Sequence, residues 1–277
     1  MSDQPPPLTI DELYGAWNTV PPEFWEALDG SHNPRSREML YEKMASLGCG
    51  GAHHVLDVGC WDAKHACELA RRLGCRVTAI DYFDLHIEQA KKVIEKQGLA
   101  TLVNAAQGDI QSLKFGDGEF DFIWCRDMLP HVRDIRKALS ECGRVLKVGG
   151  KMVIDTDLET DLMEPGEASR LYGDAMHRNS VSRDSIEDAF QAAGLRVVER
   201  DEVGSEWIEW DEEHPGKNGS VMAEEFLRIA RMIRSKETLI AQFGRTLYEA
   251  ELTGSLWYAY EVLGKLKPTV YVVSKPE

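Results

Sequence analysis

The apolar positions in the first half of the chain switch repeatedly between two periodicities. A short apolar run at 54–58 is followed by 63–73, where apolar side chains recur every three or four positions, and both patterns return at 76–80 and 85–96. A short run is typical of a buried strand, whereas the second spacing places apolar side chains on one face of a helix. The pattern therefore predicts two consecutive strand–helix units, each helix being followed by a glycine that can end it.

The alternation continues through the rest of the central region. We expect a strand at 102–106, a strand at 120–125, a helix at 132–146, a strand at 151–155, a helix beginning at Ser182, a strand at 195–199 and a last strand at 269–273. Repeated strand–helix units with apolar strands indicate a mostly parallel sheet, because crossover helices join neighbouring parallel strands and cover both faces. The predicted fold class is therefore α/β.

The two ends of the chain follow other patterns. Residues 1–52 read as a polar, proline-rich tip followed by short cap helices. Residues 204–267 are mostly helical and lie between the last two predicted strands, so we expect a lid over one edge of the sheet and not an independent domain. The predicted core comprises 53–203 together with 268–277.

The charge balance narrows the range of partners. The chain has 47 acidic and 32 basic residues, which gives a formal net charge of −15. Such a field repels phosphodiester backbones and anionic membranes, so we expect neither nucleic acid nor a membrane as a partner. The acids are read chiefly as a solubilising surface, with attraction of cationic substrates as the alternative.

The cysteines and the first residues of the chain indicate in which cellular compartment the protein resides and whether it binds a metal. None of the six cysteines forms a C-x-x-C pair, and Cys60, Cys67 and Cys75 fall across a turn, a helix and a strand start. We therefore expect reduced, structural cysteines and no metal. Residues 1–8 carry no apolar core of a signal peptide, and no run of about 18 apolar residues occurs, so a cytoplasmic protein is predicted.

Acidic residues follow three of the predicted strands. In an open α/β sheet ligands bind beyond the carboxyl ends of the strands, so the turn after the first strand is the place to look. There Asp57 precedes Gly59, which allows a sharp turn and close approach of a ligand. Asp81 ends the second strand and suits two ribose hydroxyls, and Asp109 follows the third, where it can accept from an adenine amino group. The three acids point to an adenosine-containing cofactor.

These acids, with the segments at 120–127 and 145–150, resemble the ordered motifs of class I S-adenosylmethionine-dependent methyltransferases over residues 53–156. The resemblance implies a Rossmann-like, seven-stranded sheet with a reversed last strand, the cofactor S-adenosylmethionine and the product S-adenosylhomocysteine. The implied cofactor site consists of Asp57 and Gly59 at the methionine part with Cys60 and Trp61 in the same turn, Asp81 at the ribose with Tyr82 beside it, Asp109 and Ile110 at the adenine, and Arg126 near the middle.

One departure from that family lies in the first turn. Trp61 and Ala63 stand where the family usually carries glycines, so Trp61 either stacks on the ligand or points away, and the backbone path stays open. A nicotinamide-dependent dehydrogenase shares the strand, turn and ribose acid. Its G-x-G-x-x-G fingerprint needs glycines at 61 and 64, where this chain has Trp61 and Lys64, and the dehydrogenase interpretation therefore fails.

Candidates for chemistry lie in the loop after the fourth strand. His131 suits a general base, because its ordinary pKa of about 6.5 lets it take a proton near neutrality, and a histidine bonded to backbone at a helix start is the alternative. Asp127 either orients His131, contacts substrate, or serves as a capping or solvent-facing acid. Candidate substrate contacts are Tyr14 and Trp17 in the cap helices and Glu206 and Trp207 in the lid, with apolar docking and lid packing as the alternatives.

The predicted function is transfer of a methyl group to an oxygen, nitrogen or carbon of a small molecule. The architecture resembles enzymes of secondary metabolism. The alternative is a catalytically silent subunit that binds S-adenosylmethionine and pairs with another protein. Whether the chain forms a homo-oligomer stays open.

Overall fold

The computed structural model describes residues 7–30, 34–171, 181–214 and 221–276. The chain divides into two units, Met1–Pro34 and Arg35–Glu277. The boundary differs from the predicted limit at residue 52 because Leu40, Tyr41 and Met44 are buried in the core of the second unit.

The first unit contains two helices, α1 (Ile10–Asn18) and α2 (Pro22–Gly30). Thr9 begins α1 with a capping box, in which its hydroxyl oxygen accepts from the Glu12 amide at 3.3 Å and the Glu12 carboxylate accepts from the Thr9 amide at 2.8 Å. Tyr14 and Trp17 pack edge to face with ring centroids 5.3 Å apart, and both side chains are exposed. Their role in substrate binding stays a prediction.

The second unit is built on a seven-stranded sheet in the order β3-β2-β1-β4-β5-β7-β6. Its strands are β1 (His54–Val58), β2 (Arg76–Asp81), β3 (Val103–Gln107), β4 (Phe120–Arg126), β5 (Leu146–Glu159), β6 (Arg196–Glu202) and β7 (Leu266–Ser274). The first five strands are parallel, whereas β7 runs antiparallel to β5 and β6. The predicted α/β fold, with a Rossmann-like, mostly parallel sheet and a reversed last strand, is confirmed.

Helices cover both faces of this sheet. The helices of this unit are α3 (Met39–Ser46), α4 (Lys64–Leu73), α5 (Asp84–Lys96), α6 (Ile135–Val145), α7 (Pro165–Leu171), α8 (Arg183–Ala192), α9 (Glu206–Glu213), α10 (Val221–Arg234), α11 (Lys236–Phe243) and α12 (Arg245–Val262), with a short 3-10 turn at Leu129–His131. One face packs against α3, α4 and α5, and the other against α6 and α8. Ser182 begins α8, as predicted, because its side-chain oxygen accepts from the Ser185 amide.

The elements differ from the predicted ones mainly near the end of the sheet. β5 extends well beyond the predicted 151–155, because its pairing with β7 continues to Glu159 opposite Leu266. The six cysteines are all free and buried. Across the described ranges, we find no helix whose length and apolarity would let it traverse a bilayer.

Candidate active site

The turn between β1 and α4 has a backbone conformation that favours glycine at two positions occupied by other residues. The amides of Gly59 and Cys60 both donate to the carbonyl oxygen of Ile80 at 2.9 Å, which fastens the turn to β2. The φ angles are +79° at Gly59, +46° at Trp61 and +58° at Ala63, so the left-handed conformation occurs at the two positions where the resembled family carries glycine. The Trp61 side chain is 66% exposed.

Gly59 has a second requirement besides its positive φ. A Cβ atom on it would lie 2.6 Å from Sδ of Met128, in the loop that follows β4. We expect Gly59→Ala to lower the free energy of unfolding by about 2–3 kcal/mol, against about 1 kcal/mol for Gly48→Ala, because Gly48 has a positive φ but no atom nearby. Urea denaturation measures both. Combining Gly59→Ala with Met128→Ala should recover only the part of the stability loss that exceeds the loss in Gly48→Ala. Equal losses in Gly59→Ala and Gly48→Ala would contradict the close approach of Met128 to Gly59.

Asp57 is a buried acid without a hydrogen-bond partner for one of its oxygens. Its side chain is 2% exposed, and within the described part of the chain its Oδ2 has no hydrogen-bond partner. Burial and, to a smaller extent, the negative charge of Asp81 raise the pKa of Asp57 to about 7, while the charge of Arg126 opposes both effects. A buried, unpaired carboxylate oxygen of this kind fits a ligand with a cationic group.

Asp57 should make stability depend on pH. Because its pKa is higher in the folded protein than in an unfolded chain, the folded state holds an extra proton between about pH 4 and pH 7, and this contribution to stability is lost as the pH rises through 7. We expect the fall in the free energy of unfolding from pH 5 to pH 8 to be about 2–4 kcal/mol smaller in Asp57→Asn than in the wild type.

Urea titrations at the two pH values test this prediction. The lowered pKa of His65, which acts in the opposite direction, is common to both proteins, so their difference isolates Asp57. The same slope in the variant and the wild type would show that Asp57 is ionised throughout.

Asp81 is an acceptor for three protein groups at the end of β2. Its Oδ2 accepts from the Trp61 amide at 2.9 Å, and its Oδ1 accepts from the Phe83 amide at 3.0 Å and faces Nδ1 of His86 at 2.9 Å. The His86 ring in turn stacks on Trp61, with centroids 5.7 Å apart. Tyr82 beside it has an exposed side chain. The predicted ribose acid therefore also holds the turn of β1 against α5.

Asp109 and Ile110 lie at the end of β3, next to β2 in the sheet. Oδ1 of Asp109 accepts from the Gln111 amide at 2.8 Å, while Ile110 is buried. The Gly108 amide donates to the Asp81 carbonyl oxygen at 2.9 Å. The structure thus brings the acids predicted for methionine, ribose and adenine together along one edge of three adjacent strands.

Arg126 ends β4 and belongs to a polar network that the sequence analysis missed. Its Nη1 lies 2.5 Å from Nε2 of His65, and its Nε lies 3.5 Å from Oδ2 of Asp155. Nδ1 of His65 is 2.6 Å from the Tyr41 hydroxyl. Burial and the charge of Arg126 lower the pKa of His65 to about 4, so His65 is neutral. Asp155 was detectable, because it follows an apolar run just as Asp57 and Asp81 do.

A group of acids extends from the ends of β4 and β5 to α12, and two of them, Asp155 and Asp157, are buried. Burial raises the pKa of Asp155 to about 7 and also raises the pKa values of Asp127, Asp157 and Glu261, and neighbouring acids add to the rise in Asp155, Asp157 and Glu261. The Trp257 indole donates to Oδ2 of Asp157 at 2.5 Å, which fastens α12 to β5. Helix α12 therefore contacts the later part of β5, and the role of residues 204–267 as a lid stays a prediction.

Asp127 and His131 lie in the loop after β4. Asp127 has a φ of +48°, and its amide donates to the Asp155 carbonyl oxygen at 2.9 Å. Both side chains are exposed by area, yet burial raises the pKa of Asp127 and lowers the pKa of His131, while each charge opposes the shift of the other.

Glu206 and Trp207 begin α9 and make contacts within the protein. Both oxygens of Glu206 accept from Arg35, with Nε at 2.6 Å and Nη2 at 2.9 Å. Trp207 is 3% exposed, and the Arg37 guanidinium lies 5.2 Å from its ring centroid. These contacts favour the lid-packing alternative over direct substrate contact. No group of three or more metal-ligating side chains occurs in the described segments.

Comparison with known proteins is consistent with this arrangement. Residues 56–154 match the family described as "Methyltransferase domain". "Methyltransferase GfsG" of Streptomyces halstedii is 28% identical over 62% of this chain and 62% of its own length. "Sarcosine/dimethylglycine N-methyltransferase" of Halorhodospira halochloris is 30% identical over 43% of this chain and 44% of its own length. The chain thus matches less than two thirds of each of these relatives.

A solved structure shows the same fold over most of the chain. The putative sarcosine dimethylglycine methyltransferase from Galdieria sulphuraria superimposes with a TM-score of 0.67 and 20% identity, covering 86% of this chain and 84% of that one. The fold is that of an α/β protein with acids at the ends of three adjacent strands. Residues 56–154 are therefore similar in sequence to methyltransferase domains, and the fold of the chain agrees with that similarity.

Proposed function

We propose that the protein is an enzyme that transfers a methyl group from S-adenosylmethionine to a small molecule. The observation that carries this proposal is the row of acids at the ends of β1, β2 and β3, in which Asp57 has a buried oxygen without a partner in the described structure. The bound cofactor supplies an activated methyl group on a positively charged sulfur. Buried carboxylates favour such a positive ligand over the neutral nucleosides that share its adenosine part.

The residues that would hold the cofactor are those of the first three strand ends. Asp57 would face the cationic methionine part, Asp81 would accept from the ribose hydroxyls, and Asp109 with Ile110 would frame the adenine. Gly59, Cys60 and Trp61 would form the turn beneath it, with Tyr82 beside the ribose. Arg126 would lie toward the methionine part.

We assign the general base to His131, with Asp127 as its neighbour. Methyl transfer is an in-line displacement, so the protein must chiefly align the acceptor with the methyl group. A base is needed where the acceptor arrives protonated, and His131 is neutral at pH 7 because burial lowers its pKa. It lies in the loop after β4 with an exposed side chain, which would leave it accessible to a bound acceptor.

The acceptor is proposed to be an oxygen or nitrogen nucleophile. The relative from Halorhodospira halochloris is named as an N-methyltransferase, and "O-methyltransferase cnsE" is a further relative, from Penicillium expansum. Carbon acceptors and a place in secondary metabolism stay predictions from the sequence. We further propose that the protein is cytoplasmic and that it does not bind nucleic acid. The net charge of −15 supports the second of these proposals.

Two measurements test the proposed function. Isothermal titration should detect S-adenosylmethionine and S-adenosylhomocysteine, and a screen of amines, phenols and carboxylic acids should then show consumption of the methyl donor. Binding with no turnover of any acceptor would favour a silent cofactor-binding subunit. No binding of either ligand by the folded protein would remove the proposal.

A further inference from the structure

Helix α10 packs against α12 along one side. Ile229 and Met232 are 9% and 8% exposed, and the carbonyl oxygen of Met232 accepts from the Tyr248 hydroxyl of α12 at 3.4 Å. The Ser255 hydroxyl, also of α12, donates to the Glu225 carboxylate at 2.8 Å. Glu225, Ile229 and Met232 follow one another at three- and four-residue spacing, so they share one face of the helix. This face fixes which sides of α10 are left exposed.

A neighbouring side of α10 is apolar and exposed. Phe226, Leu227 and Ile233 have exposed fractions of 39%, 53% and 59%. Ala230 lies between them at the same helical spacing and is exposed as well. A surface helix normally directs its large apolar side chains to the core, so an exposed row of them indicates a contact surface. These four residues are called the α10 stripe.

The charged residues beside the stripe are ordered along the helix. Glu224 lies in the first turn of α10, whereas Arg231 and Arg234 lie in its last turn. Among the residues that the structure describes, no carboxylate forms an ion pair with either of these two arginines. Acids first and bases last suit the dipole of a single helix. The dipole does not, however, require large apolar side chains between the two ends.

A second copy of α10 in antiparallel orientation is complementary to this pattern. In a two-fold contact, a residue of one helix lies opposite a second residue of the other, and the second lies opposite the first. An axis beside Ala230 would bring Phe226 of each helix opposite Ile233 of the other. The same axis would bring Glu224 of each helix close to Arg234 of the other. The stripe is therefore complementary to itself in both apolar contact and charge.

Other occupants match the pattern less well. An anionic membrane surface would attract Arg231 and Arg234, but it would be repelled by Glu224 and by the net charge of −15. A basic protein would meet the two arginines with charge of the same sign. A second copy supplies the opposite charge at both ends of the stripe.

We propose that the α10 stripe is the contact surface of a homodimer, in which two copies of α10 pack antiparallel about a two-fold axis. A contact made by one helix of each protomer is small among specific interfaces, so the dimer should dissociate reversibly with a Kd of the order of 1–100 µM. The stripe lies on α10, outside the residues proposed for the cofactor, so the dimer can be measured without ligand.

Sedimentation velocity between about 1 and 200 µM protein measures this Kd. Ile233→Asp should raise the Kd at least tenfold, to about 10 times the wild-type value or more, because an apolar contact is lost and a carboxylate becomes buried at both ends of the contact. Leu85→Asp is the matched control. Leu85 is a 63% exposed aliphatic residue on α5, so this substitution should leave the Kd unchanged.

A charge exchange tests the antiparallel arrangement. Glu224→Arg places arginines together at both ends of the contact, and Arg234→Glu places glutamates together there. Each variant alone should therefore have a Kd about tenfold above that of the wild type. An equimolar mixture should form a heterodimer with nearly the wild-type Kd, because each contact then joins an arginine to a glutamate. Circular dichroism checks that all variants are folded.

The outcomes that would overturn the proposal are distinct. A chain that stays monomeric up to about 200 µM would remove the dimer, and a dimer whose Kd is unchanged in Ile233→Asp would place its contact elsewhere. A mixture of the two charge variants that associates no better than either variant alone would overturn the antiparallel arrangement. Binding of a monomer to phosphatidylglycerol vesicles that is lost in Ile233→Asp would assign the stripe to a membrane instead.

Discussion

Replacing Asp81 by asparagine should weaken binding of S-adenosylhomocysteine by about 100-fold, which corresponds to about 2.7 kcal/mol. The carboxylate already accepts from the amides of Trp61 and Phe83 and from His86, so an amide with a single oxygen cannot keep these contacts and also receive ribose hydroxyls. Isothermal titration of both proteins measures the change. Full affinity in the variant would remove Asp81 from the site.

Two controls separate ribose recognition from support of the turn. Asp84→Asn removes an exposed acid three residues away and should leave the affinity unchanged. The second control is a ligand analogue that lacks one ribose hydroxyl. The wild type should bind this analogue about tenfold more weakly than the complete ligand. Asp81→Asn should bind the two ligands almost equally, because its interaction with the ribose is already lost. If the variant still discriminates between the two ligands, Asp81 supports the turn and does not contact the ribose.

The strand–helix units were predictable because a short stretch of sequence determines each of them. The run at 54–58 became β1 (His54–Val58) with the same bounds, and α4 ends at Leu73 before Gly74, which has a φ of +70°. Local periodicity suffices there, since one buried face fixes the period of each element. The predicted β5 was too short, because the length of this strand depends on its pairing with β7, which lies more than a hundred residues away along the chain.

The grouping of three acids at the ends of adjacent strands was predictable for a related reason. A parallel sheet brings the carboxyl ends of adjacent strands together, so Asp57, Asp81 and Asp109 become neighbours as soon as the strand order is known. The backbone path at Trp61 was not predictable, because side chains other than glycine seldom adopt a positive φ, and only hydrogen bonds from the turn to β2 hold it there.

The polar network around Arg126 depends on contacts between distant segments. Tyr41 and His65 come from α3 and α4, and each reads in the sequence as an ordinary position on a helix. Glu261 joins the acids at the ends of β4 and β5 because α12 packs against β5. No periodicity marks such positions, since their environment is made by tertiary packing and not by local sequence.

Replacing His131 by glutamine should lower kcat by about 100- to 10,000-fold, the usual contribution of a general base, while the affinity for S-adenosylhomocysteine stays within about twofold. Because burial lowers the pKa of His131, the wild type should lose kcat/KM only at a pH below that at which an exposed histidine titrates, and this acid limb should vanish in the variant. His214→Gln, which alters an exposed histidine after α9, is the control. A variant with nearly full kcat would show that His131 is not the base.

The variant Asp127→Asn gives a second test of His131 as the general base. Its negative charge raises the pKa of His131 against the effect of burial, so Asp127→Asn should move the acid limb to lower pH. Asparagine tolerates the positive φ of +48° at this position, so the loop should keep its path. A shift in the pH profile with kcat retained at neutral pH would identify His131 as the titrating base, because a residue that only packs the loop would change kcat without moving the limb. An unmoved limb would instead assign the titration to the acceptor itself.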